Sequence, residues 1–178
     1  MIFKATPLAG AYTIAPTPHK DLRGFFARSF CAREFGKHGL ETIYVQSNVS
    51  MNMKAGLIRG LHFQKELDAE VKLVRCTNGA IYDVIVDNRP DSPTFLHWYG
   101  ARLSENNGLA MYVPAGFAHG YQSLTSGSVT HYMVSAFYAK ASEGGLRYDD
   151  PALRIEWPMD VTDLSEKDAN WPLLKNVP

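Results

Sequence analysis

The chain has 178 residues, of which 46% are hydrophobic and 20% are charged. The length predicts one domain spanning residues 1–178, and the composition excludes a disordered, collagen-like or coiled-coil chain. Lysine plus arginine and aspartate plus glutamate both number 18, so the formal charge is zero. Nucleic-acid binders usually carry a basic field, so we expect no nucleic-acid partner, whereas a local basic pocket for a small anionic ligand stays open.

No segment is long and apolar enough to predict a membrane span. The best apolar run, residues 108–118, is shorter than the roughly 20 residues that a bilayer requires, and it contains Pro114. Residues 1–18 carry one early lysine and three prolines, unlike a secretion signal. We therefore expect a cytoplasmic protein without a membrane partner. Two cysteines, Cys31 and Cys76, cannot build a disulfide framework, and we expect both to be reduced core residues.

Segments rich in Val, Ile, Tyr, Phe and Thr recur with turn signals between them, which is typical of an all-β sandwich or barrel. Two Asn-Gly turns, at 77–79 and 106–108, are typical of tight hairpins and predict antiparallel pairing. The predicted strands are 24–30, 42–50, 57–63, 71–76, 80–87, 96–103, 110–113 and 129–138.

Helix is predicted only as short satellites of this β core. One helix is expected at 31–38, closed by Gly39, and another around 164–168, with Ser165 as its N-cap. The proline-rich start and the stretch 142–157 look like arms that wrap a core. Such arms favour a dimer.

Two segments have the spacing of the paired signatures of the cupin superfamily, which they resemble. They span residues 56–79 and 108–119. In metal-binding cupins the first signature supplies two histidines and an acidic ligand, and the second supplies a third histidine. Here Gln64 stands at the second histidine position and Lys72 at the acidic one. Because an ammonium repels a divalent cation, the sequence predicts no metal.

A barrel that has lost its metal still offers a concave pocket, lined in this chain by His62, Lys72, His119 and Tyr132, which we expect on strands of one sheet. Abstraction of a proton next to a carbonyl needs a base, a donor for the developing enolate and an acid on the opposite face. This set can fill those roles. Taken singly, His62 and Tyr132 could equally be satisfied core residues.

Charge burial favours an anionic ligand. Arg59, His62 and Lys72 fall in adjacent predicted strands with apolar neighbours, and a buried cation without a partner is costly. Two acids, Asp83 and Asp87, lie in the predicted strand 80–87. We interpret them as counter-ions of Lys72 and Arg75 in preference to catalytic groups.

Ten ordered blocks cover nearly the whole chain: 21–26, 46–48, 59–64, 72–75, 82–87, 92–94, 114–120, 149–151, 156–158 and 164–168. With these blocks the sequence resembles the dTDP-4-dehydrorhamnose 3,5-epimerase family. The resemblance implies a jelly-roll cupin that forms a homodimer and needs neither a metal nor another cofactor. It also implies the substrate, a nucleoside-diphosphate-linked 4-keto-6-deoxy sugar that is epimerised at carbons next to the ketone.

The resemblance implies roles residue by residue. His62 matches the family's base, with Asp168 as its orienting partner, and Tyr132 matches the acid on the other sugar face. Lys72 then stabilises the enolate. The positions that hold nucleotide and sugar are Arg23, Gln46, Asn48, Arg59, His119, Tyr138, Glu143 and Lys167. Arg23 and its neighbours are expected to act across the dimer.

One position departs from the family pattern and bears on specificity. Two residues after the Phe-Phe pair the family commonly has a glutamate that contacts substrate, whereas this chain has Arg28, which prefers acceptors to donors. The sequence therefore leaves open another nucleotide such as GDP, inversion at C3 or C5 alone, or a ketoisomerase. A metal-dependent cupin oxygenase or isomerase and a non-catalytic sugar-nucleotide binding module are the remaining hypotheses.

Overall fold

Two antiparallel sheets pack face to face in the computed structural model, which describes residues 1–174. The six-stranded sheet has the order β1 (Ile2–Ala5), β2 (Tyr12–Ala15), β10 (Ala110–Val113), β7 (Lys72–Asn78), β12 (Ser128–Val134) and β5 (Gln46–Asn52). The five-stranded sheet has the order β13 (Glu143–Gly145), β6 (Ile58–Gln64), β11 (Phe117–Ser123), β8 (Ala80–Asp87) and β9 (Trp98–Ser104). A separate hairpin pairs β3 (His19–Asp21) with β4 (Gly24–Phe26). The predicted all-β cupin sandwich is confirmed.

Helix is confined, within residues 1–174, to α1 (Ala32–Lys37), α2 (Glu166–Ala169) and 3₁₀ turns at Glu66–Asp68 and Lys140–Ser142. Both α-helices lie where the sequence predicts them. Ser165 caps α2, since its hydroxyl accepts the backbone N–H of Asp168 at 3.1 Å. No helix in the described part of the chain is long and apolar enough to cross a membrane.

Apolar side chains fill three layers. Between the sheets the largest cluster includes Val74, Ile85 and Met111, each essentially fully buried, and burial of one such side chain stabilises the fold by about 1.5–3 kcal/mol. Helix α1 covers part of the outer face of the six-stranded sheet through Phe35. The segment 146–157 covers the five-stranded sheet through Leu146 and Leu153. The stretch 142–157, which was predicted to be an arm, thus packs on the five-stranded sheet, to which its strand β13 belongs.

The two Asn-Gly turns cross between the sheets. Gly79 and Gly108 adopt φ of 69° and 58°, the left-handed conformation that such turns require. Strands β7 and β8 nevertheless belong to different sheets, as do β9 and β10. The prediction of hairpin pairing at these turns is wrong, because a tight turn fixes only the chain reversal. Burial then places the two apolar strands across the core from each other.

Among the described residues, five strands lie where the sequence predicted none, namely β1, β2, β3, β11 and β13. Strands β1 and β2 form one edge of the six-stranded sheet, although their residues were predicted to be an arm. Strand β11 is buried at every position and pairs with both β6 and β8. Its polar and glycine residues, His119 to Ser123, hide the apolar pattern from which a strand is predicted. This strand contributes a residue to the site described next.

Candidate active site

A cavity of about 720 Å³ opens between the sheets, and a second one of about 390 Å³ shares His62, Lys72 and Tyr132 with it. His62 on β6 and His119 on β11 are cross-strand partners in the five-stranded sheet, and we call them the histidine wall. Lys72 and Tyr132 belong to the six-stranded sheet and form the tyrosine wall. The prediction that all four lie on one sheet is wrong, because strands β6 and β7 face each other across the sandwich.

Asp168 lies behind the imidazole of His62. Their Nε2 and Oδ1 atoms are 2.6 Å apart, and the second carboxylate oxygen accepts the N–H of Gly60 at 3.1 Å. Burial raises the pKa of Asp168, but the hydrogen bonds from His62 and Gly60 outweigh it and hold this pKa below its ordinary value. An ionised Asp168 accepts the Nε2–H of His62, so Nδ1 is the ring nitrogen left for a ligand.

Glycine is required where Asp168 meets β6. Gly60 has φ of 116°, and a Cβ there would lie 2.6 Å from the Cα of Gly120 and 2.7 Å from the carbonyl oxygen of His119. The two strands therefore approach each other more closely than any side chain permits. This approach coincides with an irregularity in the β6–β11 register between His119 and Tyr121.

Tyr132 and Lys72 give the opposite wall a different chemistry. A tyrosine hydroxyl is protonated at neutral pH, and burial raises the pKa of Tyr132, with the neighbouring Tyr121 and Glu70 raising it further. The Lys72 ammonium is 7% exposed, lies 3.0 Å from Glu70 Oε1 and 3.4 Å from the carbonyl oxygen of His62. This wall therefore presents a neutral proton donor and a cation.

Asp83 and Asp87 have partners that the sequence did not predict. Asp83 lies 2.8 Å from His119 Nε2, and Asp87 lies 2.7 Å from a guanidinium nitrogen of Arg89. The prediction that they neutralise the lysine and arginine of β7 is wrong. Lys72 and Arg75 lie on β7 in the six-stranded sheet, whereas both aspartates lie on β8 in the five-stranded sheet. Lys72 is neutralised by Glu70.

Gln64, at the position of a metal-binding histidine, is fully engaged by the protein. Its amide nitrogen donates to Glu70 Oε2 at 2.8 Å and to the carbonyl oxygen of Phe137 at 3.2 Å, and its oxygen accepts the N–H of Ala139 at 2.6 Å. Within residues 1–174 no three His, Cys, Asp or Glu side chains are grouped to hold a metal ion. An amide tied to the backbone and the Lys72 ammonium do not suit a divalent cation.

Arg59 adds a positive charge to the larger cavity, whose two lysines are paired with glutamates. Its guanidinium donates to Asn52 Oδ1 at 2.9 Å and to the carbonyl oxygen of Met51 at 3.2 Å, both uncharged acceptors. Its charge is thus left for an anion, and guanidinium groups suit phosphate oxygens. Lys167, by contrast, is paired with Glu143 at 2.7 Å.

The cavities bring together eleven of the predicted site residues. The larger one is lined by Arg59, His62, Lys72, His119, Tyr132, Lys167 and Asp168, and the smaller one adds Gln46, Asn48, Tyr138 and Glu143. Arg23 and Arg28 lie outside both cavities. Arg23 is in the β3–β4 turn and pairs with Asp21, and Arg28 pairs with Glu34.

Sequence reasoning missed Glu70 and the role of Asp83. Glu70 stands two residues before Lys72, and side chains two apart in extended chain point to the same side, so this pair could have been found. A buried acid within the apolar β8 needs a partner. The partner of Asp83, His119, lies on the strand that was not predicted.

The fold and the two walls define the class of the protein. A buried ionised carboxylate behind a histidine, opposite a protonated tyrosine and a lysine, is the arrangement of an acid–base enzyme built on a cupin sandwich. Residues 5–176 match the sequence profile of the dTDP-4-dehydrorhamnose 3,5-epimerase family. The chain belongs to that family, which confirms the resemblance found in the sequence.

Individual relatives cover nearly the whole chain. The dTDP-4-dehydrorhamnose 3,5-epimerase of Sinorhizobium fredii is 44% identical over 100% of this chain and 92% of its own length. The crystal structure of the Elizabethkingia anophelis enzyme of that name has a TM-score of 0.94 at 43% identity, over 97% of this chain and 96% of its own. A Legionella pneumophila 3,5-epimerase, solved with dTDP-4-keto-L-rhamnose, has a TM-score of 0.91 at 38% identity, covering 97% and 92%.

Proposed function

We propose that this protein is an isomerase that inverts a dTDP-linked 4-keto-6-deoxy sugar, dTDP-4-dehydro-6-deoxyglucose, at C3 and C5 through an enolate. The observation that carries this proposal is the His62–Asp168 pair on one wall of the cavity and the protonated Tyr132 on the other. Family membership supports the reaction, and the complex of the Legionella relative with dTDP-4-keto-L-rhamnose supports the ligand class. We also propose a cytoplasmic location, on the sequence argument alone.

The reaction begins at the histidine wall. His62 Nδ1 takes the proton from a carbon next to the ketone, and the electron pair of that C–H bond moves into an enolate whose charge lies on the ketone oxygen. Asp168 stabilises the imidazolium that forms, since its ionised carboxylate accepts the Nε2–H at 2.6 Å. The Lys72 ammonium stabilises the enolate oxygen.

The tyrosine wall completes the inversion. Tyr132 gives its proton to the same carbon from the opposite face, which inverts the configuration and leaves a phenolate that solvent reprotonates. Solvent also removes the proton from His62, so the enzyme returns to its starting state. A second cycle at the other neighbouring carbon inverts that centre. The reaction is thus balanced without a redox partner.

The nucleotide needs a cation and a polar cleft beside this centre. Arg59, whose guanidinium donates to uncharged acceptors in the part of the chain that the structure describes, is proposed to bind the diphosphate. The smaller cavity is proposed to hold the remainder of the nucleotide sugar. The Lys167–Glu143 pair is proposed to contact the same part of the ligand. His119 is proposed to bind the sugar, and the residues of the smaller cavity in this role are Gln46, Asn48, Tyr138 and Glu143.

We further propose a homodimer. Strand β5 is an unpaired edge of the six-stranded sheet and exposes Val49 and Met51, and edge strands with apolar side chains invite pairing. The β3–β4 hairpin exposes Phe25 and Phe26. In the proposed dimer this hairpin brings Arg23 and Arg28 to the partner's cavity. Light scattering after size exclusion tests the dimer, and a monomer at micromolar concentration would contradict it.

The reaction is tested by proton NMR of dTDP-4-keto-6-deoxyglucose incubated with the protein in D₂O. We expect loss of both the C3 and the C5 proton signals, with His62→Ala as the inactive control. Loss of one signal identifies a single-site epimerase, and exchange only in a parallel GDP-linked sample overturns the nucleotide assignment. Tight nucleotide binding without exchange would identify a binding module. Stoichiometric metal required for activity would overturn the interpretation of Gln64 and Lys72.

A further inference from the structure

Asp83 is a fully buried carboxylate with one partner. It is 0% exposed on β8, and its Oδ1 lies 2.8 Å from Nε2 of His119. Its Oδ2 is buried and has no hydrogen-bond partner within residues 1–174. A buried carboxylate is costly and natural proteins hydrogen-bond such groups. Among the described residues, His119 is therefore the one side chain that the buried carboxylate of Asp83 contacts by a hydrogen bond.

Asp87 shows what a structural aspartate on the same strand looks like. It is equally buried, and its carboxylate accepts hydrogen bonds from the side chains of Arg89, Ser92 and Thr94. These bonds hold the 88–97 connection in place. Asp87 lines neither cavity. Within residues 1–174 the Asp83 carboxylate forms no hydrogen bond to a loop. The position of Asp83 is therefore explained by its hydrogen bond with His119 and not by a contact that stabilises the fold.

The Asp83–His119 pair has the same geometry as the pair that carries the proposed base. His62 and His119 are cross-strand partners on β6 and β11. Each ring uses Nε2 on a buried aspartate, at 2.6 Å for Asp168 and 2.8 Å for Asp83, and each lines the larger cavity. In both rings Nδ1 is consequently the nitrogen left for a ligand. Two like-oriented imidazoles therefore stand side by side on one wall.

We propose that Asp83 is a positioning residue of the epimerase reaction. Its carboxylate accepts the Nε2–H of His119 and so fixes this tautomer, in which Nδ1 carries a lone pair. His119 Nδ1 then accepts a hydrogen bond from a sugar hydroxyl, and this bond orients the sugar ring against His62. This role rests on the proposed function, since it needs a hydroxylated sugar in the cavity, and it adds a second His–Asp pair to the site.

The tautomer is tested first, on the wild-type protein. Long-range ¹H–¹⁵N NMR correlations of uniformly ¹⁵N-labelled protein, with His119 assigned by its absence from His119→Gln, report which ring nitrogen carries the proton. We expect the Nε2–H form at neutral pH in the free enzyme. The Nδ1–H form in wild type overturns the proposal. This measurement requires no activity, so it separates the proposal from the proposed function.

The kinetic test compares Asp83→Asn with Asp87→Asn in the D₂O exchange assay. We expect Asp83→Asn to lower kcat by about 10- to 100-fold, by analogy with the loss of the hydrogen-bond partner of a metal-binding histidine, and Asp87→Asn to leave kcat unchanged. Since Asp83 acts through His119, Asp83→Asn should cost nothing further in the His119→Gln background. Independent, multiplying losses overturn the proposal, as does equal kcat in the two aspartate variants. Wild type that exchanges no proton overturns the proposed function instead.

Discussion

The histidine wall and the tyrosine wall of the cavity differ in the groups that surround their side chains. On the histidine wall each ring lies within hydrogen-bond distance of a buried aspartate, so the fold sets the orientation of the ring before a ligand arrives. On the tyrosine wall Tyr132 is a phenol that is protonated at neutral pH, and burial raises its pKa further. The proposed base is thus oriented by a hydrogen bond, whereas the proposed acid, among the described residues, carries its proton without a charged hydrogen-bond partner. Inversion needs both, because a proton must leave one face of the sugar and arrive at the other.

The sandwich makes this division possible. Strands within one sheet place His62 and His119 side by side, whereas strands of different sheets place His62 opposite Tyr132. A single sheet presents one face to a ligand. Two packed sheets present two faces across a gap, which suits chemistry on both sides of a planar enolate. His62→Ala and Tyr132→Phe each alter one wall, whereas Asp87→Asn and Arg23→Ala leave both walls intact.

His62→Ala on the histidine wall has the largest expected effect. Exchange of the protons next to the ketone should slow by roughly 10²–10⁴-fold, because a positioned general base contributes that much. Loss of proton signals in D₂O measures the rate. His38→Ala is the matched control, since His38 stacks on Phe3 outside both cavities, and it should exchange at the wild-type rate. Normal exchange in His62→Ala would mean that the base is another residue.

Tyr132→Phe on the tyrosine wall should separate exchange from inversion. His62 can still remove a proton and return a deuteron to the same face, so exchange persists while inversion falls by roughly 10²-fold or more. NMR of the recovered sugar distinguishes the deuterated starting configuration from the epimer. Tyr44→Phe, whose hydroxyl is buried outside the cavities, is the control. Equal losses of exchange and inversion would contradict the assignment of the two faces.

Asp87→Asn should lower stability and leave the chemistry intact. Burial raises the pKa of Asp87, but hydrogen bonds from Arg89, Ser92 and Thr94 prevail and lower it from 3.8 to about 2, which corresponds to about 2 kcal/mol of stability at pH 7. Because the folded pKa is depressed, this contribution is present above the unfolded pKa and is lost as the pH falls towards 2. Urea unfolding of both proteins at pH 7, 5 and 3 should show a shrinking difference, and a constant one would rule out this linkage.

Arg23→Ala probes the hairpin, outside both walls. Its guanidinium is highly exposed and pairs with Asp21, so the free energy of unfolding should change by less than about 0.5 kcal/mol. In the proposed dimer KM should rise about tenfold with kcat unchanged, the loss of one charged hydrogen bond to the bound substrate. Arg147→Ala removes an equivalent pair, with Asp149, and should alter neither constant. An unchanged KM in Arg23→Ala would show that the hairpin does not reach a partner's cavity.

Local sequence patterns predicted the β class, most strands and both helices, because these follow from side-chain periodicity and capping. They failed where pairing depends on the whole sandwich. The Asn-Gly turns at Gly79 and Gly108 signal chain reversal and not which strand comes to lie alongside. Strand β11 has too many polar and glycine residues for its pattern to be visible, although burial on both faces makes it central.

The site shows the same limit. His62 and Asp168 are 106 residues apart and were joined by family resemblance and not by spacing. The charge partners of Lys72 and Arg75 were assigned wrongly because a strand's sequence does not state which sheet it joins. Only Glu70, two residues from Lys72, was within reach of local reasoning. Partners held by tertiary packing require the structure.

The close approach of Gly60 and Gly120 has a consequence for how this enzyme can be altered. No Cβ fits between β6 and β11 at this point, and the Gly60 N–H is one of the donors that keep Asp168 ionised. Neither position can therefore vary without moving the strand that carries His62, the proposed base. In a directed-evolution library aimed at a new sugar, diversity belongs in the β3–β4 hairpin and at positions of β12 other than Tyr132, while codons for the two glycines are best left fixed.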